Sequence, residues 1–363
     1  MMTSSTCIYC QREKPISEFN REHVISRMFG TYNKAPVLNH YEVCKECNDY
    51  FCKELEDKVS FDSYEALLRF QYLQRSHKNT GRAIGRTRLF ITGQNDIFKG
   101  LRLYISENHN NEENIQIEVA PAIGIIDDEK RNEYSYYPID EIPEASKIIR
   151  EKIKHSASPI VTFGYSEEEV SSALSAKGYD LSRANYKPNL QLSDITHEQD
   201  VLLTIKNKID SILSRLAAKN LYNYLCYHFG KNYVLDKNYD ALRSFVRYGK
   251  EDGSIIACVN SGGLKGIPGK TEGGHIIGTA WTVTDSLYLY LCGFVSWFGE
   301  ITYSFLLKNW ANKRMLQETS YMICNNLTRD IVEYKTPLIV DWPNSKYTIE
   351  VSTNYELQIV PKK

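Results

Sequence analysis

The chain has 363 residues, 42% of them hydrophobic and 25% charged, with 44 Lys and Arg against 45 Asp and Glu. That composition excludes a disordered chain, a collagen repeat and a coiled-coil rod, and the length predicts two domains or three. A formal charge of −1 supplies no bulk positive field, so any nucleic-acid surface must be a local patch.

The N-terminal stretch MMTSSTCIYCQREK has no apolar run of the signal-peptide kind, and a cytoplasmic location is the expectation. Nine cysteines are unevenly spread. Cys7, Cys10, Cys44, Cys47 and Cys52 crowd the N-terminus, while Cys226, Cys258, Cys292 and Cys324 stand singly among apolar neighbours, as small core residues do. In a reducing compartment, paired Cys-x-x-Cys units indicate metal rather than disulfides. Cys7-Ile-Tyr-Cys10 and Cys44-Lys-Glu-Cys47 offer four soft thiolates on two tight knuckles, the donor set of a tetrahedral Zn2+. All four positions are filled and none is left for water, so the zinc is expected to be structural. The 33 residues between the knuckles exceed what a simple ribbon needs, which predicts a small structured insert.

That insert contains Glu22-His23-Val24-Ile25 and Asn39-His-Tyr-Glu-Val-Cys44, and the second knuckle runs on into Cys47-Asn48. With these elements in this order, residues 7 to about 60 resemble the HNH endonuclease family, whose fold is the ββα-metal motif; residues 61–69, a predicted helix, extend the likeness more loosely. The resemblance implies an α+β chain, with an N-terminal ββα-metal module around a four-cysteine zinc site and a larger mixed α/β C-terminal domain. It implies that His23 is the general base, a task suited to an imidazole of ordinary pKa near about 6.5. Glu22 and Asn48 match the ligands of a catalytic divalent ion, Mg2+ with Mn2+ as a substitute, and Asn39 matches the residue that braces the loop and orients the histidine. The third letter of the motif is Asn48 here rather than His, and an amide oxygen suits a hard ion. Glu56 stands eight residues after Asn48, about 12 Å along a straight helix, and is read as a surface or helix-packing carboxylate.

After the motif, residues 69–102 carry eight basic side chains against one acid, Asp96. Arg69, Arg82, Arg86 and Arg88 are candidates for a phosphate track. Residues 106–200 are polar and mixed. Residues 201–229 have apolar positions at three- and four-residue steps and are predicted as one helix, with Gly230 as its C-cap. Strands are expected at 255–259, 281–283 and 286–295, around a Gly-rich loop at 261–274 that lacks phosphate-loop spacing. The most apolar stretch lies near 287–307, where the run between Asp285 and Glu300 holds 14 uncharged residues, short of the roughly 20 a spanning helix needs, and it reads as buried strands. His40, His228 and His275 are read as structural or exposed.

The expected organisation is 1–105 as nuclease module with basic extension, 106–200 as connecting region, and 201–363 as regulatory or target-binding domain. The implied activity is metal-dependent hydrolysis of DNA phosphodiester bonds, of the kind found in bacterial antiviral defence. Two alternatives stay open: a catalytically inactive zinc-stabilised DNA-binding or regulatory protein, and an RNA-directed nuclease. A homodimer and a small-molecule or protein trigger acting through the C-terminal domain are also left open.

Overall fold

The computed structural model describes residues 3–61, 63–73, 87–92, 98–107, 115–126, 134–146, 160–180, 186–187, 202–250, 257–261, 267, 273–309, 319–336, 338–351 and 357–362. Packing divides the chain into two units that are not consecutive spans. Met1–Ser60, Glu65–Arg75 and Ile209–Lys363 form one, and Phe61–Tyr64 with Ser76–Lys208 the other. The spans 1–105, 106–200 and 201–363 do not coincide with these units. Composition marks the polar middle of the chain, but it carries no information on which ends meet across it.

In the first unit, β1 (Ser4–Thr6) and β2 (Glu13–Pro15) pair antiparallel around the first knuckle. β3 (Glu22–His23) and β4 (Val37–Leu38) form a second hairpin, with Glu22 opposite Leu38 and His23 opposite Val37. The chain then enters α1 (Lys45–Phe51), passes through a π-helical turn at Cys52–Glu56, and continues as α2 (Asp57–Phe61) and α3 (Tyr64–Leu73). Two short strands and a helix are the ββα succession expected. Phe51, Leu55 and Val59 recur every four residues and are all fully buried, which holds a stretch otherwise rich in Lys, Glu and Asp in helical form. The π turn adds one residue to the ladder and changes which side chains face inward beyond it.

The second unit contains two four-stranded sheets. One joins β5 (Thr87–Thr92), β6 (Arg102–Glu107), β7 (Ile115–Val119) and β12 (Leu202–Asn207) in the order β12-β5-β6-β7. The other joins β8 (Ala122–Ile126), β9 (Tyr134–Tyr137), β10 (Ile160–Phe163) and β11 (Tyr186–Lys187) in the order β11-β10-β8-β9. Helix α4 (Glu167–Ala176) starts at a capping box of Ser166 and Glu169 and buries Val170 and Leu174 against Ile123, Ile125 and Ile160.

The chain returns to the first unit as α5 (Ser211–Phe229), whose N-cap Asp210 accepts from the Ile212 and Leu213 amides. The helix predicted over 201–229 therefore begins later than its periodicity suggested. Leu202, Ile205 and Ile209 fit a helical stripe, yet 202–207 pairs antiparallel with β5, and the Asp210 cap sets the true start. The C-terminal end is as expected: Gly230 adopts φ 91° and stops the helix.

Six strands follow in one antiparallel sheet of order β13-β16-β15-β14-β17-β18. They are β13 (Ala257–Ser261), β14 (His275–Val283), β15 (Leu289–Trp297), β16 (Ile301–Asn309), β17 (Tyr321–Cys324) and β18 (Ile331–Tyr334). The predicted strands agree in kind and differ at their ends; of 287–307, residues 289–297 and 301–307 lie in β15 and β16 and are largely buried, while Leu287 and Tyr288 are exposed. Most of the Gly-rich loop lies outside the described residues. A last hairpin joins β19 (Tyr347–Val351) and β20 (Leu357–Pro361).

Helix α5 is buried almost all round, against β4 and the π turn as well as β14 and β15. Gly293 allows this approach, since a Cβ there would lie 2.3 Å from a Leu221 methyl. Among the described residues no helix is long and apolar enough to cross a membrane.

Candidate active site and zinc knuckle

The four knuckle cysteines converge. The Sγ atoms of Cys7, Cys10, Cys44 and Cys47 all lie within 4.8 Å of one another. A tetrahedral Zn2+ with bonds of about 2.3 Å spaces its sulfurs at roughly 3.8 Å, and Cys10 and Cys44 are 3.9 Å apart. Local backbone builds the cradle: the Cys7 amide donates to the Arg12 carbonyl, the Gln11 amide to the Cys7 carbonyl, and the Cys44 amide to the Cys7 sulfur. Gln11 takes the left-handed conformation needed to close the first knuckle, φ 55°. Crowding shifts the thiol pKa values in opposite directions: a hydrogen bond from Cys47 brings Cys7 down to about 4, while the same bond raises Cys47 and burial pushes Cys44 up to about 11. The converging sulfurs fit zinc.

Beside it, β3 presents Glu22 and His23. His23 is half-buried and lines a cleft with Ile25, Arg27, Tyr32 and Pro36. Burial first, then Arg27 and Arg21, lower its pKa below the ordinary imidazole value, so the ring is neutral at physiological pH. Asn48, in the first turn of α1, donates its amide N–H groups to Asn20 Oδ1 at 3.0 Å and to the Arg21 carbonyl at 3.1 Å. This ties the helix to the residues just before Glu22 and leaves the Asn48 carbonyl oxygen as an acceptor. Residues 7–63 match the HNH endonuclease family. No curated protein and no solved structure matches the chain. The matched segment contains the β3–β4 hairpin and α1, and an HNH domain implies a nucleic-acid substrate.

Glu22 sits in an environment its sequence does not announce. It is 4% exposed. The Lys219 ammonium, from α5, lies 2.5 Å from Glu22 Oε1 and 2.5 Å from Glu56 Oε1. Asn223, one turn further along α5, donates to Glu22 Oε1 at 3.1 Å. Burial raises the Glu22 pKa, against the pull of Lys219. Burial also acts on Glu56, but Lys219, together with Ser26 and His23, more than offsets it and Glu56 ends below the usual carboxylate range. Lys219 itself, flanked by two carboxylates, stays charged despite its complete burial. Of the two readings, surface or helix-packing carboxylate, Glu56 is the second. It faces inward at the end of the π turn and shares a lysine with Glu22.

The residues present fit a hard divalent ion by their donor chemistry. Among the described residues no hydrogen bond reaches Glu22 Oε2, and the Asn48 oxygen is likewise left over. Two carboxylates against one ammonium also leave one negative charge uncompensated.

Other expected residues fare differently. Asn39 is exposed just beyond β4, and among the described residues its side chain makes no hydrogen bond; the loop is held instead by Glu42, which accepts from the His40 amide at 2.7 Å. Arg69 is buried, 4% exposed, and donates to the Met28 carbonyl at 3.1 Å. A guanidinium in that position braces the loop after the His23 strand and is not displayed to a phosphate. Arg82 and Arg86 lie outside the described residues, and Arg88 stands on β5 in register with Lys206. His275 is buried and structural, as read: its Nε2 donates to the Phe29 carbonyl and its Nδ1 accepts from the Phe298 amide. The residues that the motif could not reveal are Lys219 and Asn223.

Proposed function

We propose that the chain is a metal-dependent endonuclease that hydrolyses DNA phosphodiester bonds. The observation that carries this reading is the pair of hydrogen bonds from the Asn48 amide to Asn20 and to the Arg21 carbonyl, which sets an oxygen donor on α1 beside the Glu22-His23 strand. Glu22 and Asn48 would hold the ion, most simply Mg2+. When bound, it supplies electrophilic stabilisation of the phosphoryl oxygens and of the departing 3′ oxygen. His23, kept neutral by burial and by Arg27 and Arg21, takes a proton from the attacking water. Arg82, Arg86 and Arg88 are proposed to contact phosphates. A role in bacterial defence rests on the family resemblance.

The test is incubation of the purified chain with plasmid DNA and with an RNA of matched length, in Mg2+, Mn2+ or EDTA, beside His23→Ala. The expected result is DNA cleavage that needs the ion and falls by about 10²–10⁴-fold in His23→Ala, with zinc content and melting temperature unchanged. Equal cleavage by wild type and variant would remove the assignment from this site.

A further inference from the structure

Helix α5 reaches the Glu22-His23 pair through one amide. Asn223 is fully buried and donates one N–H to Glu22 Oε1 at 3.1 Å and the other to the His23 carbonyl at 3.0 Å. A single side chain thereby fixes the carboxylate of one residue and the backbone of the next. Its own orientation is set by the Tyr9 hydroxyl, which donates to Asn223 Oδ1 at 2.6 Å. Exchanging the amide oxygen and nitrogen would lose all three bonds. Tyr9 lies between Cys7 and Cys10, so the chain of contacts starts inside the first zinc knuckle. One helical turn before Asn223, Lys219 grips the same Glu22 oxygen. Oε1 is thus anchored twice, which leaves the orientation of Oε2 determined.

We propose that Asn223 and Lys219 are positioning residues for the HNH site: they hold the Glu22 carboxylate and the His23 backbone in the arrangement that binds the divalent ion, so the site is complete only when α5 is docked. The proposal rests on the nuclease reading given above. Groups that orient metal ligands from behind alter metal affinity or activity by about 10–100-fold when removed, and an effect of that size is expected here.

The experiment uses the full chain as wild type, Asn223→Ala and Tyr9→Phe. The Tyr9→Phe change deletes one oxygen and keeps the packed ring. Mn2+ affinity is measured by the EPR signal of the free ion, and kcat and KM are measured on plasmid DNA. Asn223→Ala should keep its zinc, bind Mn2+ about 10–100-fold more weakly and lose kcat by a similar factor, with KM for DNA unchanged. Tyr9→Phe should move both quantities in the same direction by a smaller factor. A structural role alone predicts a lower melting temperature, with Mn2+ affinity and kcat per folded molecule as in wild type. That result in Tyr9→Phe and in any folded Asn223→Ala overturns the positioning role while the nuclease reading stands. A wild type that neither binds Mn2+ nor cuts overturns both.

Discussion

Phe29 stacks on Trp297, with ring centroids 4.3 Å apart and planes 26° from parallel. Phe29 ends a 3-10 turn within the loop that follows the Glu22-His23 strand, and Trp297 ends β15, so the N-terminal segment and the large sheet share an aromatic core. Both rings are fully buried. Phe29→Ala should cost about 3–5 kcal/mol, read as a fall in denaturation midpoint at unchanged m-value. A change below 1 kcal/mol would mean that this contact contributes little to folding.

The zinc prediction follows from the converging sulfurs. Elemental analysis should find about one Zn2+ per chain. Cys44→Ser should lose it and expose residues 3–60 to proteolysis. A metal-free preparation with the same melting temperature would contradict a structural zinc.

His275 gives a pH dependence of stability. Complete burial lowers its pKa to about 4, against about 6.5 in the unfolded chain. Between those values the unfolded state takes up a proton that the folded ring refuses. Its contribution is therefore present above the unfolded value and is lost as pH falls from about 6.5 towards 4, by up to roughly 3 kcal/mol. Unfolding midpoints at pH 7.5, 6 and 5 should fall more steeply for wild type than for His275→Gln. Parallel slopes would show that His275 is not the group responsible.

Lys219→Ala should be strongly destabilising. It leaves Glu22 and Glu56 facing each other without their cation, and breaking a buried pair from one side typically costs about 3–5 kcal/mol. Adding Glu56→Gln to the same chain should recover part of the loss, because the repulsion goes with the charge. A double variant less stable than the single one would refute this account of the cluster.

The cysteine knuckles, and the Glu22-His23 and Asn48 positions on which the nuclease proposal rests, could be read from the sequence because each depends on neighbours close in sequence. Glu22 touches His23 covalently, and Asn48 follows Cys47 directly. Lys219 was not legible, since it acts across nearly 200 intervening positions on Glu22. Within α5, Lys219, Asn220 and Asn223 have the spacing of a solvated face, yet all three are 0% exposed. One signal was available: Lys219 is the sole charged residue from 216 to 227, and a helix apolar on every other side is a buried one. The late start of α5 was hidden for another reason, because Leu202 and Ile205 satisfy a strand and a helix equally and only the Asp210 cap decides between them.

The packing of Met1–Ser60 with Ile209–Lys363 has a consequence for synthesis. The first knuckle leaves the ribosome long before the helix that grips Glu22. At about 5–20 residues per second, roughly 150 further residues take some 8–30 s to appear. Through that interval a nascent chain carries the whole HNH motif without Lys219 or Asn223. A transcript broken before codon 211 would yield the same product: a motif that reads as a nuclease and a polypeptide without the clamp that sets its carboxylate. Under the proposed nuclease function, assembly of the site waits until α5 has been made.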